Sequence, residues 1–369
     1  MRICGVVSSL GAGGAERVML ALCAGWRLRG HDVTLLTLDD GRQDFYAVPA
    51  GVERCALDIA SRSRSIPDAM RANMRRARTL GAALRRTRPD VIVSFTDRTN
   101  VLTLLAARGM DTPIIVSERN DPRHHNIGRS WNLLRRLTYP AASALVVQTE
   151  SVRRWADDIV LPTRVAVIPN ALRPITTPTT PAGTRDTQVV ALGRLTSQKG
   201  FDLLIRAFAR VAGDFPTWRV TIFGEGPARQ SLQALVHALN LGNRVTMPGT
   251  TLDPAGALAA SAIFALPSRY EGFPNALLEA MSQGCACVAS RCNSGPADML
   301  VDHGSGCLVP VDDVVGLADA LATLMSDSTL RSRVGQRAQR AVERFAPDAV
   351  FAAWDRVFAM VLSFARIAA

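Results

Sequence analysis

The sequence predicts an α/β fold with two doubly wound parallel-sheet domains and a cleft between them. Three observations lead to this prediction. The length of 369 residues exceeds the usual size of a single hydrophobic core. Short β-branched runs alternate with helical patterns in two successive sets, and a stretch rich in proline and threonine separates the sets. With 48% hydrophobic and 20% charged residues, the chain can fill two such cores.

The β-branched runs are the predicted strands. Because longer helical patterns lie between them, they are typical of βαβ units, whose parallel sheets are covered by helices on both faces. The strands predicted in the first set are 2–9, 32–38, 91–95, 113–118, 144–149 and 165–170. Those predicted in the second set are 189–193, 219–226, 245–249, 262–268, 285–290 and 306–310.

The domain boundaries follow from a change in composition. The stretch 173–187, RPITTPTTPAGTRDT, buries little apolar surface, and we expect it to be an interdomain linker. The two Rossmann-like domains are then 1–172 and 188–346. The final segment, 347–369, is apolar nearly all round, so we expect a helix that packs back on the first domain; contact with a membrane is the alternative.

The basic balance of the chain predicts an anionic partner. The formal net charge is +11, which fits nucleic acid, a phosphorylated ligand or an acidic membrane surface. Segment 61–89 holds nine arginines and one acidic residue, and its helical spacing predicts an amphipathic helix that binds an acidic membrane; a solvated outer helix is the alternative. No aromatic residue interleaves these arginines, which disfavours nucleic acid.

The cysteines and the termini predict a cytoplasmic protein, peripheral on the cytoplasmic face of the inner membrane. The seven cysteines are odd in number and lack a disulfide-framework spacing. Cys285 and Cys287 have no second ligand pair, so we interpret them as part of a buried strand rather than a zinc site. The apolar runs at both ends are too short for a secretory signal or a membrane span.

The loop after the first predicted strand is the first candidate site, because ligands of parallel sheets bind beyond the carboxyl ends of strands. In SLGAGGAERV, Gly13 and Gly14 let backbone N–H groups approach an anion at a helix start. A dinucleotide fingerprint would need a third glycine where Glu16 stands, so nicotinamide binding loses support. A tight structural turn explains this loop equally well.

The second candidate site is GRLTSQKGF, which opens the second domain. It contains Lys199, the only lysine among 43 lysine and arginine residues. Arg194 and Lys199 can both reach one diphosphate, and a compact ammonium suits a crowded site better than a planar guanidinium. Two solvated charges at a helix start are the alternative.

The third candidate site is PSRYEGFPNALLEAMSQG, residues 267–284. We expect Glu279 to accept hydrogen bonds from a ribose diol and Glu271 to do so for a second sugar. A helix is predicted to begin near Asn275, and its free N–H groups would bind phosphate oxygens. Those groups belong to Asn275, Ala276 and Leu277. A capped helix with two surface glutamates is the alternative.

Taken in order, these motifs resemble the retaining family 4 glycosyltransferases of the GT-B class. The motifs are the GGxE-type loop, the R-x4-K loop, the G-E-G-P turn at 224–227 and the E-x7-E segment with EGFPNALLEAM. The segment SERNDP is similar to a branch of the family that assembles bacterial polysaccharides and oligosaccharides. The resemblance covers essentially the whole chain.

The resemblance implies GT-B architecture and a nucleotide-sugar donor, a UDP-sugar, bound mainly to the second domain. The moved group would be a hexose or N-acetylhexosamine, and the acceptor a saccharide on a lipid such as polyprenyl diphosphate. Arg194 and Lys199 would stabilise the departing diphosphate, Glu271 would contact the donor sugar and Glu279 the ribose. Further donor contacts are implied at Gly13, Gly14, Gly224, Met247, Asn275, Ala276 and Leu277.

No metal or other cofactor is expected. No two aspartates are separated by one residue, so the Asp-x-Asp metal motif of the other large glycosyltransferase class is absent. The chain also departs from many members of the family, which have a histidine after the fourth or fifth strand of the first domain. Here that loop holds Glu118, Arg119 and His124, which we assign to the acceptor side, with Glu118 among the catalytic candidates. A salt-bridged loop is the alternative.

An epimerase or a non-catalytic sugar-nucleotide-binding protein on the same fold is the alternative to the glycosyltransferase function.

Overall fold

The computed structural model describes residues 1–60, 66–173, 185–300 and 304–368. By its internal contacts the chain divides into two units, Met1–Asn170 with Asp348–Ala369, and Ala171–Pro347. Most of the predicted linker lies outside the described residues, and Asp186, near the end of that linker, already begins a strand.

The first unit is built on one parallel sheet. Its strands are β1 (Arg2–Val7), β2 (Asp32–Thr37), β3 (Glu53–Ala56), β4 (Val91–Phe95), β5 (Ile114–Ser117), β6 (Ala144–Val147) and β7 (Val165–Val167). They lie in the order β3-β2-β1-β4-β5-β6-β7. The helices between them are α1 (Gly14–Leu28), α2 (Ile66–Thr87), α3 (Asp97–Ala106), α4 (Arg129–Thr138) and α5 (Glu150–Ala156).

The second unit is built on a second parallel sheet. Its strands are β8 (Asp186–Leu192), β9 (Arg219–Phe223), β10 (Val245–Gly249), β11 (Ser261–Leu266), β12 (Ala286–Ser290) and β13 (Cys307–Val309). They lie in the order β10-β9-β8-β11-β12-β13. Its helices are α6 (Phe201–Val211), α7 (Arg229–Ala238), α8 (Pro254–Ala260), α9 (Asn275–Ser282), α10 (Pro296–Met299), α11 (Val314–Ser326) and α12 (Ser328–Ala341).

Each predicted strand is present, with bounds shifted by a few residues, so the predicted fold of two parallel α/β sheets is confirmed. Strand β4 shows why the prediction succeeds: it is buried on both faces, so its sequence is a nearly continuous apolar run. Strand β3 was missed. It is an edge strand without a buried residue, and its sequence ERCA has neither an apolar run nor alternation.

The strand order reverses direction at one point in each sheet. In the first sheet, β1 pairs with both β2 and β4; in the second, β8 pairs with both β9 and β11. Open parallel sheets bind ligands in the crevice beyond the carboxyl ends of the strands at such a point. The loops after β1, β4, β8 and β11 are therefore where a ligand is expected.

The last helix, α13 (Pro347–Ala368), packs on the first unit. Trp354 is fully buried there, with its ring centroid 5.7 Å from that of Trp26 and 6.5 Å from that of Phe95. The ring of Phe358 adds a contact of 5.6 Å to Trp26. In the part of the chain that the structure describes, no helix combines the length and the apolar character that crossing a bilayer requires.

Helix α2 carries most of the arginine-rich segment, although residues 61–65 lie outside the described part. Leu80, Gly81 and Leu84 are buried against the unit, as the predicted apolar face requires. Met74, whose helical spacing predicts a place on the same face, is exposed instead. The exposed side of the helix holds Arg71, Arg75, Arg78, Arg85 and Arg86.

Candidate active site

Lys199 and Glu271 meet at the carboxyl edge of the second sheet. Lys199 ends the short 3-10 helix Ser197–Lys199 after β8, and Glu271 lies in the loop after β11. Because β8 and β11 are neighbours, residues 72 positions apart come together. The Nζ atom of Lys199 donates to Oε1 of Glu271 at 2.6 Å, which is an ion pair that the sequence analysis did not foresee.

The carboxylate of Glu271 is fixed in a nearly closed environment. Its side chain is 5% exposed, and that of Lys199 is 20% exposed. Ser268 Oγ donates to the same Oε1 at 2.6 Å, and Ser294 Oγ donates to the backbone carbonyl of Glu271. Burial raises the pKa of the neighbouring Cys292 thiol to about 12, and the charge of Glu271 adds to this effect. A buried carboxylate needs such partners, since an unpaired one would be strongly destabilising.

Arg269 joins the two loops that carry this ion pair. Its Nη1 and Nη2 donate to the two carboxylate oxygens of Asp202 at 3.0 and 2.8 Å. Nη1 also donates to the carbonyl of Ser197 at 2.6 Å, and Nε donates to Asp312 at 2.8 Å. The backbone N–H of Arg269 donates to the carbonyl of Gln198 at 2.8 Å. The turn after β8 is therefore held against the loop after β11.

The Arg269–Asp202 pair is a charged, bidentate one. The hydrogen bond to Asp202 raises the pKa of Arg269 above its ordinary value. Partial burial works to raise the pKa of Asp202, but the hydrogen bonds and charge of Arg269 outweigh it, so that pKa lies below its ordinary value. Both groups are charged at neutral pH, and bidentate pairs of this kind fix geometry more strongly than a single bond.

Two glycines allow the loops to approach closely. Gly200 has a φ of 63°, and a Cβ there would collide with the carbonyl oxygen of Pro267. Gly224 has a φ of 144°, and a Cβ there would collide with the carbonyl oxygen of Gly193. Only glycine fits both restrictions.

Arg194 is exposed in the same loop as Lys199. Within the described residues its side chain forms no hydrogen bond or ion pair, so the structure does not join Arg194 to Lys199 directly. A guanidinium in this state is available to a bound anion without first breaking a contact.

Helix α9 begins at Asn275, as predicted. The N–H of Leu277 already donates to the carbonyl of Pro274 at 3.0 Å, so the prediction of a free N–H at Leu277 is wrong. The first turn tightens here because Pro274 supplies an acceptor three residues back. The backbone N–H of Ala276 has no acceptor in the described part of the chain.

Glu279 borders a cavity of about 380 Å³ in the second unit. Its Oε1 accepts a hydrogen bond from Arg173 Nη2 at 2.8 Å, and Leu252, Pro254 and Arg173 also line the cavity. The carboxylate predicted to bind a ribose thus borders this cavity. It accepts a hydrogen bond from Arg173, which belongs to the predicted linker.

Arg229 donates to the backbone carbonyls of two residues that are predicted to contact the donor. Its Nη1 donates to the carbonyl of Met247 at 2.9 Å, and its Nη2 donates to that of Gly224 at 3.2 Å. The same guanidinium binds Glu225 at 2.6 Å. A carbonyl oxygen has two lone pairs, so each can accept a second donor.

In the first unit, Gly14 begins α1 and Gly13 is its N-cap residue. The N–H of Gly13 already donates to the carbonyl of Gly11 at 2.7 Å. The carboxylate of Glu16 folds back over Gly13, where it meets the positive end of the helix. The carboxylate of Glu16 thus lies at the same helix start that is predicted to bind an anion.

Glu118, which the sequence analysis assigns to the acceptor side, is buried in the first unit. Its Oε1 accepts hydrogen bonds from Tyr139 Oη at 2.6 Å and from Arg135 Nη1 at 3.3 Å. Burial raises the pKa of Glu118 to about 7, opposed by the charge of Arg135. The salt-bridged loop that the sequence left open is what the structure contains, with Arg135 of α4 as the partner.

Arg119, which the sequence analysis also assigns to the acceptor side, is buried as well, and the acceptor-side role of both residues stays a prediction. It donates to Ser117 Oγ at 3.2 Å and to Asn170 Oδ1, and its guanidinium lies 4.3 Å from the ring centroid of Phe95. Burial lowers the pKa of Arg119 to about 9. Both side chains therefore stabilise the interior of the first unit.

His124 is the accessible member of the predicted acceptor group. Its Nδ1 lies 3.2 Å from a carboxylate oxygen of Asp121, which also binds Arg123 at 2.7 Å. Next to it, His125 Nε2 lies 3.3 Å from Asp97 Oδ2 at the start of α3.

The expected independence of metal stays a prediction. Within the described residues, no group of three or more His, Cys, Asp or Glu side chains is arranged to hold a metal ion.

Comparison with known families matches both units. Residues 177–341 match the family described as glycosyl transferases group 1, and residues 13–171 match the glycosyl transferase 4-like domain. An exopolysaccharide phosphotransferase of Streptomyces coelicolor is 32% identical over 290 residues, which are 76% of this chain but only 30% of that protein.

Two further proteins are similar over nearly the whole chain. The first, from Campylobacter jejuni, is 25% identical over 98% of this chain and 99% of its own length. It is named a GalNAc-alpha-(1->4)-GalNAc-alpha-(1->3)-diNAcBac-PP-undecaprenol alpha-1,4-N-acetyl-D-galactosaminyltransferase. The second is the crystal structure of HepE of Anabaena in complex with UDP and glucose, with a TM-score of 0.79 and 20% identity over 98% of this chain and 99% of that one.

The two parallel-sheet units and these neighbours identify the fold as that of the GT-B class. The chain is a glycosyltransferase, and it belongs by its second unit to the glycosyl transferases group 1 and by its first to the glycosyl transferase 4-like domain.

Proposed function

We propose that this protein is a retaining, metal-independent hexosyl- or N-acetylhexosaminyltransferase that uses a UDP-sugar and a lipid-linked saccharide acceptor. The observation that carries the proposal is the ion pair of the only lysine with a buried glutamate at the ligand-binding edge of the second sheet. The undecaprenol-linked saccharide in the name of the Campylobacter jejuni protein supports the acceptor class, and the UDP in the Anabaena structure supports the donor.

In the proposed reaction, the bond between the sugar C1 and the diphosphate oxygen breaks, and its electron pair stays on the diphosphate. A new bond forms between C1 and the acceptor oxygen on the same face of the sugar, and the acceptor proton goes to the departing diphosphate. Lys199 and Arg194 stabilise the negative charge that develops there. Glu271 accepts a hydrogen bond from the donor sugar and orients it.

The choice of lysine follows from the crowding around its ammonium group. The Nζ atom of Lys199 lies 2.6 Å from Glu271 and is enclosed by loops that glycines bring together. A guanidinium is larger and planar and requires a fixed bidentate geometry. A point charge at this place neutralises Glu271 and still has two further N–H donors for phosphate oxygens.

Binding of UDP is the direct test of the donor assignment. A saturating nucleotide at about 100 times its Kd adds about 2.7 kcal/mol to the free energy of unfolding. We therefore expect UDP to raise the melting temperature in a thermal-shift experiment, and EDTA to leave the increase unchanged because cationic side chains replace the metal.

GDP and ADP are the matched controls. A larger shift with either would reject the UDP assignment, and an increase that EDTA abolishes would reject metal independence. If no nucleoside diphosphate changes the melting temperature, the proposed function itself is wrong. The anomeric configuration of the product, measured by NMR, tests retention.

The protein is proposed to bind acidic membranes at the cytoplasmic face through α2. The exposed arginines of this helix recur at spacings of four, three, seven and one, which place them on one face of a helix. That face opposes the one on which Leu80 and Leu84 are buried. This arrangement exposes the arginine side of α2 to anionic headgroups.

We expect replacement of Arg71, Arg78, Arg85 and Arg86 by glutamine to release the protein from phosphatidylglycerol vesicles. At about 1 kcal/mol per charge, the partition coefficient falls roughly 100- to 1000-fold. Sedimentation with vesicles measures it. The matched control replaces Arg206, Arg210, Arg333 and Arg340, which are exposed on the second unit. An equal loss of vesicle binding in the control variant would mean that net charge alone causes the binding. It would reject the exposed arginine side of α2 as the membrane-binding surface.

A further inference from the structure

An exposed aromatic pair lies at the ligand-binding edge of the first sheet. Phe45 is 61% exposed in the loop after β2, and its ring packs against Tyr46 edge to face, with centroids 4.9 Å apart and planes at 88°. The N–H groups of Phe45 and Tyr46 donate to the carbonyl of Leu10 at 2.9 and 3.3 Å. Because Leu10 belongs to the loop after β1, the pair lies beside the strand at which the sheet order reverses.

The loop that carries this pair is held in place, so the exposure of Phe45 is built into the fold. Arg54 of β3 donates to Thr37 Oγ1 at 2.9 Å and to Asp39 at 3.2 Å, and it forms an ion pair with Asp44. Asp39 and Asp44 lie on either side of the chain reversal that precedes Phe45. The ionic cluster and the two bonds to Leu10 thus fix both ends of the loop.

Exposed aromatic rings are rare in this protein, which makes the position of Phe45 informative. Aromatic residues are 5% of the chain, and among the described residues the other exposed large aromatic side chain is Phe364, at 57%. Phe364 borders a cavity of about 740 Å³ at the opposite, amino end of β5 and β6, away from the loops that bind ligands. A single exposed ring is ordinary on a protein surface, but a pair of packed rings at the ligand-binding edge offers a contact surface to a ligand.

The charge of the loop indicates what that ligand is. Residues 39–46 contain three aspartates against one arginine, and Arg54 pairs with two of the aspartates, so the loop has no excess of positive charge to attract it to an acidic membrane. A pyranose suits it, since its C–H face packs on an aromatic ring while its hydroxyls donate to carboxylates. Asp40 and Gln43 of the same loop supply exposed polar groups for those hydroxyls. The acidic, aromatic loop and the arginine face of α2 therefore suit different partners.

We propose that Phe45 and Tyr46 form a stacking platform for one sugar of the saccharide acceptor. The identity of this sugar as part of the acceptor rests on the proposed function. The binding of a saccharide to this loop can be measured without any transfer. Nothing in the described geometry requires Phe45 to take part in bond breaking, so it is a recognition residue.

Saturation-transfer difference NMR tests the platform with the methyl glycoside of N-acetyl-α-galactosamine as the probe. We expect transfer from the protein to the ring C–H protons of the probe in the wild type. Phe45→Ala should weaken binding of the probe about threefold to tenfold, the effect of losing one aromatic contact. Phe45→Trp should retain or strengthen it. Phe364→Ala, which removes an equally exposed ring at the other edge, should leave it unchanged.

Three results would overturn the proposal: no transfer to the probe in the wild type, equal binding in Phe45→Ala and the wild type, or equal weakening in Phe364→Ala. Loss of vesicle binding in Phe45→Ala with unchanged probe binding would assign the ring to the membrane instead. The UDP thermal shift, run on the same variants, separates the two proposals: its absence rejects the proposed function, whereas its persistence with no saccharide signal rejects only the platform.

Discussion

Replacing Lys199 with alanine is expected to lower kcat about 100- to 1000-fold, the effect of removing one group that stabilises developing charge in a transition state. The reason is the position of its ammonium: it is the one side-chain amine of the chain, and it is held 2.6 Å from Glu271 at the edge where the donor is proposed to bind. The rate of UDP release in the presence of acceptor measures the effect. Lys199→Arg should recover activity only in part, because a guanidinium cannot occupy the same space.

The same substitution removes the counter-charge of Glu271, whose side chain is 5% exposed. Among the described residues, the hydroxyl of Ser268 is then the remaining side-chain hydrogen-bond partner of that carboxylate. An unpaired buried charge costs several kcal/mol, so part of any loss could come from instability. The double variant Lys199→Ala with Glu271→Gln removes both charges, and its free energy of unfolding in urea should exceed that of Lys199→Ala alone. Full activity in Lys199→Arg, or a stable and active Lys199→Ala, would contradict the role given to this lysine.

Replacing Arg269 with alanine is expected to lower kcat about 100-fold, the scale reported for displacing a catalytic group by about 1 Å. Arg269 does not enter the ion pair. It is a positioning residue that holds the turn of Lys199 through Ser197 and Asp202. The expected signature is therefore a large decrease in kcat with a smaller change in the KM for the donor, measured by steady-state kinetics at varied donor concentration.

Two further variants separate positioning from general stability. Arg269→Lys keeps a charge near Asp202 but loses the bidentate bond, and we expect it to recover only part of kcat. Asp312→Ala removes only the single bond from Nε and leaves the bonds to Ser197 and Asp202, so its effect should be small. If Arg269→Ala changes only the free energy of unfolding and leaves kcat as it is, Arg269 has no positioning role.

The predictions that succeeded depend on short-range patterns. Strand β4 was found because VIVSF is a continuous apolar run, and α9 because GFPN precedes a helical pattern at Asn275. The loops after β8 and β11 were found because glycines and charged residues follow predicted strands. In each case the signal lies within about ten residues, which is the distance over which sequence periodicity is informative.

The features that the sequence did not reveal depend on contacts between distant parts of the chain. Glu118 is buried because Arg135 and Tyr139 enclose it from α4 and the turn after that helix. The Arg269–Asp202 pair spans 67 positions and exists only because β8 and β11 are neighbours. The sequence did not specify that order. The local sign of the Arg269–Asp202 contact is the position of Arg269 in PSRYEG, between the buried strand β11 and Glu271.

The ion pair at Lys199 also makes the protein convenient for chemistry in solution. Apart from the terminal amine, the chain has one primary amine, and its 42 other cationic side chains are arginines. Reductive methylation with isotopically labelled formaldehyde would therefore introduce a single side-chain reporter, located on the group that neutralises Glu271. The methylated amine keeps its charge and one N–H, so its resonance would report changes next to Glu271 at the proposed donor site, without assignment of any other part of the spectrum.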